Sequence, residues 1–134
     1  MTDEPKTTRI APQQGDAVKI LHIEDDPSVA RAMARLLRLH GYEVISAASG
    51  DEAIQLIEDG LIPDLILTDY CLPLQMTGDQ VVIEIATRLG FKPPTILLAS
   101  APRIAASVAD RVFSKPADMD AVVREIERLI GTRP

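Results

Sequence analysis

Apolar and polar positions follow two different periods along this chain. Short runs of β-prone apolar residues at 18–23, 42–47, 65–69, 95–99 and 111–114 have the length and composition of strands. The run at 65–69 is apolar almost throughout, as a strand buried on both faces should be, and it ends on Asp69. Between the runs, apolar residues recur three and four positions apart. Val29, Met33, Leu36 and Leu37 predict one helix, and Val81, Val82, Ile85 and Leu89 predict another. Met119, Val122, Val123, Ile126, Leu129 and Ile130 predict a last amphipathic helix. Asp26 followed by Pro27 suits an N-cap and first helical position, and Asp118 suits a second N-cap. Ser49 with Glu52 three residues on has the form of a capping box that opens a helix through Glu58, while Gly41, Gly60 and Gly90 supply stops. At 103–110, Ile104 and Val108 lie one turn apart and predict a short fourth helix of about two turns.

Strand and helix therefore alternate five times, which implies a parallel sheet covered on both faces and joined by right-handed crossovers. The expected architecture is α/β, a flavodoxin-like (βα)5 three-layer sandwich whose five-stranded sheet has the order 2-1-3-4-5. Residues 1–17 lack either periodicity and read as a flexible tail. The domain is expected over 18–131, with a short C-terminal tail at 132–134.

Composition narrows the class. At 134 residues the chain has room for one ordinary domain. No apolar run approaches the roughly 18–20 residues needed to cross a bilayer, and the N-terminus lacks the apolar stretch of a secretory signal. A cytoplasmic protein without membrane contact is the expectation. The formal net charge of −6 disfavours direct nucleic-acid binding, which draws on a surplus of lysine and arginine. Cys71 is the single cysteine and allows no internal disulfide.

Open α/β sheets bind ligands beyond the carboxyl ends of their strands, at the point where strand order reverses. The first predicted strand ends in Glu24-Asp25, the third in Asp69, the fourth in Ser100 and the fifth in Lys115. The second ends in Ala47-Ala48 and offers no chemistry, which fits an edge position. Carboxylates gathered at neighbouring strand ends either share protons or hold a cation, and hard oxygen ligands favour Mg2+. Such an ion commonly binds a phosphate oxygen as well, so phosphoryl transfer to a free carboxylate is the natural reaction, with Lys115 and Ser100 as fixed cation and hydroxyl donor. Each residue also has an ordinary reading. Asp69 could cap a turn, Asp26 suits a helix cap better than a ligand, and Lys115 or Ser100 alone would be a surface residue. His22 and His40 suggest no chemistry.

Ile23-Glu24-Asp25-Asp26, Thr68-Asp69 with Pro73 four residues on, Leu98-Ala99-Ser100-Ala101 and Lys115-Pro116, in that order, resemble the receiver domain of two-component response regulators. The likeness runs from Val18 to about Gly131. It implies that Asp69 accepts a phosphoryl group from a histidine kinase or a histidine phosphotransfer protein. It further implies that Glu24, Asp25 and Asp69 bind Mg2+ together with the backbone carbonyl of Cys71, with Asp26 as a secondary acid. Ser100 and Ala101 would contact the phosphoryl group and switch with it, Lys115 would pair with an acyl phosphate oxygen, and Pro116 would follow a cis bond. The role implied is a signalling module rather than an enzyme. The alternative is a receiver-like docking module that acts without phosphorylation. Three features depart from the family pattern. Gly78 comes one position late after Asp69, the fourth helix is short, and Val112 stands where the family carries a switch aromatic. Phe113 is out of phase with that position, since strand residues alternate sides.

Overall fold

The computed structural model describes residues 17–100 and 107–131. Within them the order is β1 (Lys19–Ile23), α1 (Pro27–Leu39), β2 (Glu43–Ala47), α2 (Gly50–Glu58), β3 (Leu65–Asp69), α3 (Gly78–Leu89), β4 (Thr95–Ala99), β5 (Arg111–Ser114) and α4 (Met119–Ile130). All four strand pairs are parallel, and the sheet order is β2-β1-β3-β4-β5. The flavodoxin-like order expected from the strand ends is the one observed. Most of the expected helix at 103–110 falls outside the described residues, as do Ala101 and both tails except Ala17. Residues 107–110 are described and run without helix into β5.

Period two in the strands sorts their side chains between two helical layers. On one side Ile20, Leu65, Leu67, Ile96 and Leu98 pack with Met33, Ala34 and Leu37 of α1 and with Val122, Val123 and Ile126 of α4. On the other, Leu21, Ile23 and Ile66 meet Ala53 and Ile57 of α2 and Val81, Val82 and Ile85 of α3. β3 and β4 are buried at every position, because each lies inside the sheet and is covered on both faces. At the β5 edge, Phe113 packs into the α1/α4 layer while Val112 remains exposed, so the two do alternate sides.

Local sequence chemistry fixes the helix starts. The Asp26 carboxylate accepts from the backbone N–H of Ser28 at 2.9 Å and of Val29 at 3.3 Å, which makes it the cap of α1. Asp118 caps α4 in the same way. At α2 only half of the expected capping box forms. The Ser49 hydroxyl accepts from Glu52 N at 3.1 Å, but Glu52 Oε1 takes the N–H of Ala48, one residue before the cap, at 2.7 Å. A full box does form at α3, where Thr77 and Gln80 exchange both bonds. No helix among the described residues is long and apolar enough to cross a membrane.

Candidate functional site

Register brings the acids together. Ile23 of β1 pairs with Thr68 of β3, so the next residues, Glu24 and Asp69, emerge side by side at the carboxyl end of the sheet. One carboxylate oxygen from each of Glu24, Asp25 and Asp69 lies within 4.8 Å of the others. Glu24 and Asp69 are buried and Asp25 is exposed, which leaves the cluster open on one side. β5 delivers Lys115 against it, with Lys115 N donating to Ala99 O at 2.9 Å and Lys115 Nζ standing 2.9 Å from Asp69 Oδ1. That contact is an ion pair between the lysine ammonium and the buried carboxylate. The Lys115-Pro116 peptide is cis.

The electrostatics follow from burial beside like charge. Burial, reinforced by the Asp69 carboxylate, pushes the Glu24 carboxyl up to about 7, against the opposing pull of the Asp26 N–H that donates to Glu24 Oε2 at 3.0 Å. Burial alone would lower the Lys115 ammonium, but Asp69 first, then Glu24 and Asp25, outweigh it and leave it above its ordinary value. Among the described residues the buried Glu24 Oε1 has no hydrogen-bond partner. A buried acceptor without a donor, within a set of hard oxygens bearing excess negative charge, fits a divalent cation such as Mg2+.

Ser100 stands exposed just past β4, and no hydrogen bond of its hydroxyl is recorded among the described residues. The structure thus joins Glu24, Asp25, Asp69 and Lys115, while Ala101 lies beyond the described residues. His22 sits two positions before Glu24, fully buried, with both ring nitrogens unpartnered among the described residues. Burial pulls it down to about 4, so it is neutral at ordinary pH.

Two features under the site depend on contacts that the late Gly78 alone does not disclose. Gly78, the first residue of α3, donates its N–H to Tyr70 O at 2.7 Å and abuts the main chain of Asp69. A Cβ there would lie 2.3 Å from Asp69 O and 2.7 Å from Leu97 Cδ1. The Thr-x-x-Gln spacing of Thr77 and Gln80 marks this helix start in the sequence, but contact with Asp69 is not local information. The second feature is the loop between Asp69 and Gly78. Its ends are closed by an antiparallel bridge between Cys71 and Thr77 and by Leu72 N donating to Met76 O at 3.0 Å. Between them Leu74 (φ 64°, ψ 30°) and Gln75 (φ 60°) are both left-handed. That conformation costs about 1–2 kcal/mol for each residue bearing a Cβ. Cys71 is exposed beside this bridge.

Comparison with known proteins adds a consistent set of relatives. A family model described as the response regulator receiver domain matches residues 20–127. The chain is 32% identical over 113 residues to the transcriptional regulatory protein GlrR of Escherichia coli K12, covering 81% of this chain and 25% of that protein. It is 34% identical over 89 residues to protein PilG of Pseudomonas aeruginosa, covering 66% of this chain and 64% of PilG. The chain therefore spans about a quarter of GlrR and under two thirds of PilG. Among solved structures it is similar to the response regulator protein TrrA of Thermotoga maritima in complex with Mg2+ and BeF. That match has a TM-score of 0.72 and 25% identity, covering 83% of this chain and 97% of that one.

Proposed function

The chain belongs to the response regulator receiver domain family, and on that premise we propose that Asp69 accepts a phosphoryl group from a histidine kinase or histidine phosphotransfer protein, in a two-component relay. The observation that carries this reading is the buried Asp69 carboxylate held between Lys115 Nζ, at 2.9 Å, and the oxygens of Glu24 and Asp25. A carboxylate oxygen of Asp69 attacks phosphorus, the P–N bond to the donor imidazole breaks, and its electrons return to that ring nitrogen. The product is an acyl phosphate. Glu24, Asp25, Asp69 and the carbonyl of Cys71 are the candidate holders of Mg2+, which when bound supplies positive charge to the phosphoryl oxygens. The Lys115 ammonium, 2.9 Å from Asp69 Oδ1, would meet the charge on the transferred group's oxygens. Ser100, just past β4, would offer its hydroxyl to the transferred group, with the N–H of Ala101 next to it in sequence.

Signalling then follows from a protein surface that differs between the two states of Asp69. The test is incubation with Mg2+ and acetyl phosphate, followed by intact mass. A phosphoryl adduct that Asp69→Ala abolishes supports the proposal, and folded protein that takes up Mg2+ but no phosphoryl group refutes it. A second reading, docking without phosphorylation, draws support from the β5 edge. There Phe113 is committed to the core and under the Arg111 guanidinium at 4.4 Å, leaving only Val112 at the outward position. Partner affinity that is the same for wild type, Asp69→Asn and phosphodonor-treated protein would favour it.

A further inference from the structure

The acceptor and the lysine that faces it arrive on strands that do not touch, since β4 lies between β3 and β5. A polar contact outside the sheet joins their surroundings. Residues 107–110, which lead into β5 without helix, are fastened to the first turn of α3. Ser107 Oγ donates to Asp79 Oδ1 at 2.8 Å, and Val108 N donates to the same oxygen at 3.4 Å. Ala109 N in turn donates to Ser107 Oγ at 3.0 Å. One half-buried carboxylate thus holds three consecutive residues, two directly and one through Ser107. Val108 then shares a groove with Val82 and Ala86 of α3, and Asp110 ends the run by accepting from Lys92 Nζ and Thr95 N, each at 2.8 Å.

Asp79 directly follows Gly78, and Gly78 has no slack against the acceptor. Its N–H donates to Tyr70 O at 2.7 Å, and a Cβ on it would lie 2.3 Å from Asp69 O. The Thr77/Gln80 box stiffens the same turn. Close-packed atoms pass displacement on rather than absorb it, so the main chain of Asp69 and the first turn of α3 move together. An acid in a first turn also complements the helix dipole, but that task needs no partner on another segment. We propose that Asp79 is a clasp coupling the state of Asp69 to the residues that enter β5. The coupling rests on the phosphoryl-accepting role proposed for Asp69. A phosphoryl group and cation that bind only the native carboxyl end of the sheet make α3's first turn firmer, and through Asp79 they slow the local opening of residues 107–109. Asp79 is a positioning residue in this device and touches no reacting atom.

The experiment reads deuterium exchange at residues 107–109 by mass spectrometry in wild type, Asp79→Ala, Asp79→Asn and Ser107→Ala. Each is measured in Mg2+ before and during modification with excess acetyl phosphate, and intact mass gives the extent of modification. In wild type, modification should slow this exchange by at least about threefold. In unmodified Asp79→Ala the segment should exchange about tenfold faster than in wild type, as loss of a bond to a charged acceptor requires. Modification should then leave it unchanged, although the adduct still forms. Asp79→Asn keeps the acceptor oxygen and should keep the response, while Ser107→Ala, which breaks the same bond from the other side, should lose it. A response retained in Asp79→Ala overturns the proposal, because Asp79 would then only hold the segment in place. If that variant does not fold, a full response in Ser107→Ala does the same. Loss of the response in Asp79→Asn assigns the effect to charge at the helix start and also overturns it. Wild type that gains the adduct without slower exchange refutes the coupling and leaves Asp69 as the acceptor, whereas wild type that gains no adduct refutes the reading of Asp69 and the coupling with it.

Discussion

Replacing Gly78 by alanine should disturb the acceptor more than its surroundings suggest. The new Cβ would start 2.3 Å from Asp69 O, 2.7 Å from Leu97 Cδ1 and 3.1 Å from Thr68 Cγ2. Carbon and oxygen approach no closer than about 3.3 Å without strain, so roughly 1 Å of movement is needed. Leu97 is fully buried in β4, and Asp69 O is main chain, held in place by the Thr68 hydroxyl that donates to it at 2.9 Å. The helix cannot easily retreat either, because the Thr77/Gln80 box and the Gly78 N to Tyr70 O bond fix its first turn. Overpacking of this kind costs about 1–3 kcal/mol, and the gain in helix propensity from Gly to Ala, at most about 1 kcal/mol, offsets only part of it. A net loss of roughly 1–2 kcal/mol should appear as a lower urea midpoint with unchanged slope. Since a misplacement of about 1 Å at a reacting group can cost two orders of magnitude, phosphorylation by acetyl phosphate should slow by about tenfold or more. Gly50→Ala is the control. Its Cβ would meet Val81 Cγ2 at 2.6 Å and Met76 Sδ at 2.8 Å, side-chain atoms of which the thioether can swing away, so its loss should be smaller and should spare the reaction. Gly78→Ala with wild-type stability and rate would refute the close-contact argument.

Three further outcomes test the electrostatics. Mg2+ at tenfold over its Kd should stabilise the protein by about 1.4 kcal/mol, a rise of roughly 5 °C in thermal midpoint. The rise should vanish with EDTA and shrink in Asp25→Asn; an equal rise in that variant would remove Asp25 from the ligand set. Lys115→Ala leaves the buried Asp69 without its cation. It should cost about 1–3 kcal/mol by urea unfolding in EDTA and distinctly less in Mg2+, whereas equal losses in both would deny that the two cations offset the same charge. Glu125, buried in α4, is bonded by Arg128 and also by Arg111 at 3.1 Å, and these partners hold its carboxyl below the ordinary 4.5. A depressed carboxyl stabilises the fold fully above its unfolded value and loses that contribution as pH falls through the folded one. Glu125→Gln should therefore flatten the fall in thermal midpoint below about pH 4.5, and an unchanged acid limb would show that the pair contributes nothing.

Much of this protein is legible along the chain because its signals are local. Period two and period 3.6 separate strands from helices, Asp26 and Asp118 announce helix starts with bonds to the next turn, and the alternation of elements dictates a covered parallel sheet. The identity of the strand-terminal residues nominated Glu24, Asp25, Asp69, Ser100 and Lys115 for the same reason. What the chain could not declare depends on atoms brought near each other from distant positions. The one-residue-late Gly78 signalled an altered loop, but only packing shows that this glycine is pressed against the Asp69 carbonyl and that Leu74 and Gln75 turn left-handed to accommodate the register. Burial of Glu24 beside Asp69, which raises its carboxyl, and of His22 beneath them likewise arises when β1 and β3 pair. Propensity and pattern act over a few residues, while desolvation and steric exclusion are properties of the space that the assembled layers leave.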